Sequence, residues 1–267
     1  MCIRDRNNKH ALVCGSSKGI GASTAIELSK LGATITLLAR DKDSLANVLD
    51  SLDTSKKQNH NFIIADFDDP LKLKVTIDQH FANNPTIHIL INNSGGPKPG
   101  PIVDANVEDF ISAFNRHLIC NHILVQAVVP KMKEARFGRI INITSTSVKQ
   151  PIKGLGISNT IRGAVANWAK TLSFELGEFG ITVNNILPGY TDTQRLKEIF
   201  LNKSKKSNYD IESIVSDAHS QIPLGRFADP KETAKAICFL ASEDASYINA
   251  VSYTHLRAHE TVLDLVC

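Results

Sequence analysis

The chain has 267 residues, 42% of them hydrophobic, and a formal net charge of +3 at pH 7. This length is sufficient for one sizeable hydrophobic core. The charge is too small to indicate a nucleic-acid or membrane partner, and the sequence contains no apolar run long enough to span a bilayer. Cys14, Cys120 and Cys238 lie in apolar stretches without metal-ligand spacing. We therefore expect no metal site and a cytoplasmic, reducing environment.

The two ends of the chain are predicted to lie outside the folded domain. Residues 1–5 can be encoded by DNA whose reverse complement encodes Val-Ser-Tyr-Thr-His, the sequence of residues 251–255. Such inverted repeats are typical of a translated sequencing adapter; the alternative is a genuine short strand and tail. We expect residues 1–6 and 251–267 to be adapter-derived. The domain would then comprise residues 7–250 and lack its final strand.

Strand-like apolar runs alternate with segments of helical periodicity along the chain. Strands are predicted at Ala11–Cys14, Thr34–Ala39, Phe62–Ala65, Ile87–Ile91, Gly138–Ser145 and Ile181–Leu187. Helices are predicted at Ile20–Leu31, Asp43–Leu52, Pro70–Phe81, Val107–Glu134, Ile157–Phe179 and Asp229–Ala241. This alternation predicts an α/β fold, a single Rossmann-type doubly wound parallel sheet with helices on both faces. The basic stretch Lys203–Asn208 is expected to be a surface loop.

A glycine-rich turn, Gly15–Gly21, connects the first predicted strand to the first predicted helix. Glycines permit a tight turn and let backbone N–H groups approach a pyrophosphate, and the helix N-terminus adds a positive field. Because the turn lies between a buried strand and an amphipathic helix, it predicts a dinucleotide site. The alternative is a turn with a structural role only.

The spacing of the glycines resembles the Thr-Gly-x-x-x-Gly-x-Gly pattern of short-chain dehydrogenases/reductases, with Cys14 in place of the threonine. Three further motifs are similar to that family's motifs and occur in its order: Asn92-Asn93-Ser94-Gly95, Gly138–Ile143 before a serine, and Pro188-Gly189 with Thr193. The resemblance is strongest to 3-oxoacyl-acyl-carrier-protein reductase-like proteins of an atypical subgroup. It implies oligomerisation and a carbonyl-reducing activity that uses a nicotinamide cofactor.

The resemblance also implies which residues hold the cofactor: Gly15, Ser17, Lys18, Gly19, Ile20, Gly21, Arg40, Asp66, Phe67, Asn93, Gly95, Arg162, Pro188, Gly189, Thr191 and Thr193. Where an NAD-dependent member has a carboxylate, this chain has Ala39, and Lys18 and Arg40 are nearby cations. We therefore predict NADP(H), unless both cations are ordinary surface charges. Asp66 would accept a hydrogen bond from the adenine amino group; the alternative is that Asp66 only starts the turn before Pro70.

The family's catalytic pattern is only partly present. Members use a tyrosine as general acid, a lysine one helical turn later, a serine and an asparagine. Aligning Ile161–Val165 with the family's helix puts Ser158 at the tyrosine position and Arg162 at the lysine position. Ser145 corresponds to the serine, and His117 takes the place of the asparagine. Only the serine is retained.

These replacements leave the proton donor open. The Ser158 hydroxyl is shorter and less acidic than a phenol, whereas Arg162 stays charged and can hold ribose hydroxyls. His117 is the leading donor because imidazole titrates near neutrality, but it could equally be a structural helix residue. Tyr190 is a second candidate donor, and Asn121 could hold a water in the family asparagine's stead. Two threonines that flank the serine, Thr144 and Thr146, are expected to point away from the site if the strand persists.

The loop Ser94–Pro101 is expected to border the nicotinamide pocket; the alternative is an ordinary surface loop. Residues 191–221 occupy the position of a substrate lid. We predict an NADP(H)-dependent oxidoreductase acting on a small-molecule carbonyl or alcohol, with a 3-oxoacyl-like carbonyl as one candidate. It would form a homo-oligomer, either a dimer or a tetramer. The alternative is an NADPH-binding protein without turnover, acting as a sensor or a silent subunit.

Overall fold

A parallel sheet with the strand order β3-β2-β1-β4-β5-β6-β7 forms the centre of the computed structural model. Its strands are β1 His10–Cys14, β2 Thr34–Ala39, β3 Asn61–Ile64, β4 Ile89–Asn92, β5 Gly138–Ile143, β6 Ile181–Leu187 and β7 Ser252–Thr254. The structure describes residues 6–82, 86–207 and 209–254. Residues 1–5 and 255–267, most of the predicted adapter sequence, lie outside this range.

Nine helices are found in the described part of the chain. They are α1 Gly19–Lys30, α2 Lys42–Asp50, α3 Pro70–Phe81, α4 Val107–Phe114, α5 Cys120–Ala135, α6 Gly156–Leu176, α7 Gln194–Lys206, α8 Ile211–Ser220 and α9 Pro230–Leu240. Within this part of the chain, none of the helices combines the length and the apolar character needed to cross a lipid bilayer.

Two apolar layers hold the helices against opposite faces of the sheet. Successive side chains of a strand point to opposite faces. Accordingly Ala11 and Val13 of β1 pack with α1, α2 and α9, whereas Leu12 and Cys14 pack with α3, α5 and α6. The predicted α/β fold, a doubly wound parallel sheet with helices on both faces, is therefore confirmed.

A row of buried carboxamides links three adjacent strands of the sheet, β4, β5 and β6. Asn92 Nδ2 donates to Asn142 Oδ1 at 2.8 Å, and Asn142 Nδ2 donates to Asn185 Oδ1 at 3.1 Å. The three residues are also neighbours in the strand register, Asn92 opposite Asn142 and Asn142 opposite Asn185. Because buried polar groups are costly without partners, this row favours one register of β4, β5 and β6.

The structure corrects two element predictions. The segment predicted as one long helix is divided into α4 and α5 by a π-helical turn, Asn115–Ile119. Such turns carry one extra residue, which apolar periodicity does not reveal. The basic stretch predicted as a surface loop is helical up to Lys206, as the last part of α7. Its lysines are good helix formers once Leu196 and Phe200 anchor the helix in a small apolar cluster.

The predicted absence of a final strand is wrong, because β7 pairs in parallel with β6 at the edge of the sheet. Asn184 prepares this pairing: its Nδ2 donates to Ile248 O at 2.8 Å, and its Oδ1 accepts from Val251 N at 3.1 Å. The strand takes its ladder bonds from the backbone, so an adapter-like sequence can form it. Arg6, also assigned to the adapter, is 4% exposed and donates to Cys238 O at 3.0 Å.

We predict that Asn184→Ala lowers the free energy of unfolding by about 1–3 kcal/mol, because it removes two hydrogen bonds, one to the Ile248 carbonyl and one from the Val251 N–H, each worth about 0.5–1.5 kcal/mol. Denaturant unfolding monitored by circular dichroism measures this change. The exposed Asn167→Ala on α6 is the control and should change stability by no more than about 0.5 kcal/mol. An equal effect of the two substitutions would contradict the proposed support of β7.

Candidate functional site

A cleft of about 1040 Å³ lies at the carboxyl ends of the strands, above the junction of β1 and β4. The strand order reverses direction at this junction, and open parallel sheets bind ligands in the crevice that results. Most of the predicted cofactor residues line this cleft: Gly15, Ser17, Lys18, Gly19, Ile20, Arg40, Asp66, Phe67, Asn93, Gly95, Arg162, Pro188, Gly189, Thr191 and Thr193. Gly21 alone of that set does not line it.

The glycine turn is packed too closely for larger residues. Gly15 and Gly19 have φ angles of 57° and 59°, which favour glycine. A Cβ atom added to Gly21 would lie 2.2 Å from the carbonyl oxygen of Gly15. The Asn93 carboxamide donates to the carbonyls of Cys14 and Gly15, each at 3.3 Å. Gly21 therefore contributes by allowing the turn to close, not by facing the cleft.

The N-terminus of α1 opens into the cleft without a side-chain cap. Lys18 occupies the N-cap position in an extended conformation, its side chain makes no capping hydrogen bond, and no acidic residue lies in the first turn. Gly19 and Ile20 of that turn line the cleft. Exposed N–H groups at a helix N-terminus bind anionic oxygen atoms, including phosphate. This end of the cleft is therefore suited to a phosphate group.

At the end of β2 the cleft is lined by Ala39 and Arg40. Arg40 is 67% exposed and lies 3.7 Å from Asp66 and 3.5 Å from Asp68, measured between Nη1 and carboxylate oxygen. Asp68 also accepts hydrogen bonds from the Arg116 guanidinium. Exposed ion pairs of this kind contribute little to stability, so the Arg40 side chain can turn towards a ligand at small cost.

Ser145, Ser158 and Arg162 line the cleft together, as the sequence predicts. Ser145 Oγ accepts a hydrogen bond from Ser147 N at 3.1 Å, which leaves the hydroxyl proton available to a ligand. Arg162 is 8% exposed, and its Nη1 donates to Ile143 O at 2.7 Å. Its buried Nε has no hydrogen-bond partner among the described residues. Burial lowers the pKa of Arg162 to about 10, so the side chain stays positively charged at neutral pH.

His117 does not line the cleft and is 1% exposed, in the π-helical turn between α4 and α5. Its Nδ1 lies 2.8 Å from Ser94 Oγ, at the start of the loop Ser94–Pro101. Burial, with smaller contributions from Arg162 and Arg116, lowers the pKa of His117 to about 2. This corrects the expectation that His117 titrates near neutrality, since its imidazole is uncharged at that pH.

Other candidates fall on both sides of the cleft wall. Tyr190 lines the cleft, and its ring packs against Phe200 and Phe227. Asn121 is buried in α5 and does not line the cleft. Thr144 and Thr146 do line it, contrary to expectation, because β5 ends at Ile143 and a 3₁₀ turn follows. The strand alternation on which that expectation depended therefore stops before these residues.

The loop after β6 closes the cleft over the glycine turn. Thr193 caps α7 by accepting a hydrogen bond from Leu196 N at 3.3 Å. Its Cγ2 would lie 3.3 Å from a Cβ added to Gly19, so the two residues face each other. Four basic residues of the cleft belong to no motif that would identify them in the sequence: Arg116, Lys153, Arg195 and Lys203. Their common position becomes visible only in the folded chain.

A family model described as enoyl-(acyl carrier protein) reductase matches residues 15–255. The chain belongs to this family of short-chain dehydrogenases/reductases. The NADPH-dependent reductase BacG of Bacillus subtilis is 28% identical over 243 residues, which cover 91% of this chain and 94% of BacG. The 3-oxoacyl-[acyl-carrier-protein] reductase FabG of Rickettsia felis is 31% identical over 247 residues, which cover 91% of this chain and 93% of FabG.

The fold also matches the crystal structure of L-sorbose reductase from Gluconobacter frateurii, which is complexed with NADPH and L-sorbose. The TM-score is 0.87 at 28% sequence identity, and the match covers 95% of this chain and 97% of that one. The resemblance to short-chain dehydrogenases/reductases inferred from the motifs is thus confirmed.

We predict that His117→Asn makes the protein less sensitive to acid. In the unfolded chain a histidine binds a proton below about pH 6.5, whereas the folded protein keeps His117 neutral down to about pH 2. The free energy of unfolding therefore contains the full contribution of the neutral His117 above about pH 6.5. As the pH falls below that value, this contribution decreases by about 1.4 kcal/mol per pH unit. Urea unfolding of both proteins between pH 7 and pH 4 measures the difference. Parallel stability curves would contradict the buried, neutral imidazole.

Proposed function

We propose that the protein is an NADP(H)-dependent oxidoreductase that reduces a small-molecule carbonyl or oxidises the corresponding alcohol, with an atypical catalytic centre. The observation that carries this proposal is the buried, charged Arg162, which lines the cleft together with Ser145 and Ser158. A buried guanidinium with an N–H that lacks a partner is costly unless a ligand completes it.

The residues of the cleft fit a dinucleotide. The uncapped first turn of α1 and the close approach of Gly15 to Gly21 would hold the pyrophosphate. Lys18 and Arg40 would receive a 2′-phosphate, and Ala39 removes the carboxylate that would repel it. NADPH is also the cofactor named for BacG and for the L-sorbose reductase structure. These features together favour NADP(H) over NAD(H).

When bound, the nicotinamide supplies or accepts a hydride. The Ser145 hydroxyl, whose oxygen accepts a hydrogen bond from Ser147 N, would donate its proton in a hydrogen bond to the substrate oxygen. Arg162 provides a fixed positive charge next to that oxygen and stabilises the negative charge that develops on it. The side chain at the tyrosine position is Ser158, which is partly exposed to the cleft. Ser158 would connect the oxygen to water, the final source of the proton.

A 3-oxoacyl-like carbonyl is one candidate substrate, in line with the named activity of the FabG relatives. The cleft has apolar side chains beside its reactive groups, among them Leu155, Ile199 and Phe200. These would pack against the carbon chain of a small substrate.

A homo-oligomer is part of the proposal. Val107, Ile111 and Phe114 form an exposed apolar face on α4, being 67%, 55% and 40% exposed. Phe174 on α6 is 78% exposed. Apolar patches of this kind on a soluble fold are typical of an interface between subunits.

The second candidate is an NADPH-binding protein without turnover, a sensor or a silent subunit. It is favoured by the position of Ser158, where the family has its acidic phenol, and by the bond from Arg162 to the Ile143 carbonyl. Calorimetry with NADPH, together with NADPH oxidation over a panel of aldehydes and ketones, separates the two functions. Tight binding without turnover of any compound supports the second candidate; absence of binding rejects both.

We predict that Arg40→Gln weakens NADPH binding by about 10- to 100-fold and leaves NADH binding unchanged, because only NADPH carries the 2′-phosphate. Calorimetric titration with each dinucleotide measures the two affinities. Lys235→Gln, an exposed charge on α9 away from the cleft, is the control and should change neither. Equal losses for NADH and NADPH would contradict the assignment of Arg40.

We predict that Arg162→Met lowers kcat by about 10²–10³-fold, as expected for the loss of one electrostatic contact to a developing oxyanion. Arg162→Lys has a side chain of similar length and keeps the charge, so its kcat should stay within about tenfold of the wild type. Single-turnover rates at saturating NADPH measure both variants. If the methionine and lysine variants lose the same activity, the charge of Arg162 has no catalytic role.

A further inference from the structure

The half of the cleft beyond Ser145 and Ser158 is lined by basic side chains. Lys153 comes from the loop before α6, and Arg195 and Lys203 come from α7. The acidic residues that line the described cleft, Asp41 and Asp66, lie at the opposite end, beside the end of β2 and β3. We call the region around Lys153, Arg195 and Lys203 the basic half of the cleft. It carries a net positive charge with no acidic side chain lining it among the described residues.

Arg195 spans the basic half from α7 to the opposite wall. Its Nη2 donates to Pro97 O in the loop Ser94–Pro101, at 3.3 Å. Its Nη1 lies 3.8 Å from Glu198 on the next turn of α7, where both side chains are a little under half exposed. Both contacts are long, and the ion pair is screened by water. A planar guanidinium has five N–H donors, so Arg195 retains donors for a ligand.

Lys153 approaches from the other wall. The loop that carries it is fixed to the Gly/Pro-rich loop by backbone hydrogen bonds, Gly100 N to Gly154 O at 2.8 Å and Gly156 N to Gly100 O at 3.1 Å. Two walls of the cleft therefore each contribute a basic side chain to its lining. The cleft is also lined by the apolar side chains of Leu155, Ile199 and Phe200. The combination matches a ligand with a short apolar body and an anionic end.

We propose that the substrate is an oxo acid or hydroxy acid, whose carboxylate is bound by Arg195 with the support of Lys153 and Lys203. This inference rests on the proposed oxidoreductase function and adds the substrate class to it. A carboxylate accepts two parallel hydrogen bonds from a guanidinium, which fixes orientation as well as position. Arg195 binds the end of the substrate away from the reacting carbon, so it determines specificity and makes no contact with the reacting atoms.

The test compares acids with their neutral esters. Pyruvate, acetoacetate and levulinate place the carboxylate at increasing distance from the ketone, and their methyl esters remove the charge while retaining the ketone. NADPH oxidation and calorimetric binding to the NADPH-loaded protein are measured for each pair. We expect at least one acid to be preferred over its ester. Arg195→Gln should raise both the KM and the dissociation constant of that acid by about 10- to 100-fold. The affinity for NADPH should be unchanged.

Lys197→Gln is the matched control, because Lys197 lies on the same helix, pairs with Asp192 at 3.5 Å and does not line this cleft. It should leave the acid preference intact. Binding of acetyl phosphate is measured as well. If it binds more tightly than all three acids, the carboxylate assignment is wrong. Equal use of acids and esters, or an acid preference that Arg195→Gln does not reduce, would also overturn that assignment.

The outcomes also separate this inference from the proposed function. Acid binding that depends on Arg195 but occurs without NADPH oxidation would support the anion site and reject the enzyme. Turnover of the esters at the same rate as the acids would reject the anion site and retain the enzyme. If no acid binds and none is reduced, the substrate class proposed here is wrong.

Discussion

The contact between the Asn93 carboxamide and the glycine turn is the constraint on which the rest of the site depends. Asn93 follows β4 and donates to the carbonyls of Cys14 and Gly15, so it joins the ends of β1 and β4 at the point where the strand order reverses. A Cβ added to Gly15 would lie 2.7 Å from the Asn93 side chain, and one added to Gly21 would lie 2.2 Å from Gly15 O. No larger residue fits at either position. The turn brings the first N–H groups of α1, the end of β2 and the loop Ser94–Pro101 around one space.

Much of this arrangement could be predicted from the sequence, because its determinants are local. The glycine spacing, the buried β1 and the amphipathic α1 place the cofactor end of the cleft, and motif order places Ser145, Ser158 and Arg162. The errors have physical causes as well. A π-helical turn at Asn115–Ile119 preserves the apolar pattern while it changes the helix. The pairing of β7 with β6 uses backbone hydrogen bonds, and Asn184 supports the segment before it, so apolar periodicity gives no signal for this strand. Burial is the third cause: it shifts the pKa of His117 away from the value that its residue type suggests.

The replacement of two family residues has consequences beyond the loss of a proton donor. Arg162 remains charged even at 8% exposure, since burial lowers its pKa only to about 10. The hydrogen bond from Arg162 Nη1 to the Ile143 carbonyl holds the guanidinium in one orientation. The uncharged His117 behind the wall adds no repulsion to that cation. The centre is therefore organised around a permanent positive charge, where the family pattern has a titrating tyrosine and lysine pair.

The row of asparagines across β4, β5 and β6 has a consequence for how the chain folds. Each carboxamide gives its N–H group to the next one, from Asn92 through Asn142 to Asn185, so the three dipoles point the same way across the sheet. Apolar strands such as these could shift in register by two residues and still present apolar side chains to both layers. A shift of that size would separate the carboxamides and leave them buried among apolar side chains without hydrogen-bond partners. The row thus favours the native register of β4, β5 and β6. A chain that pairs these strands in another register is less stable, and the cleft cannot form from it.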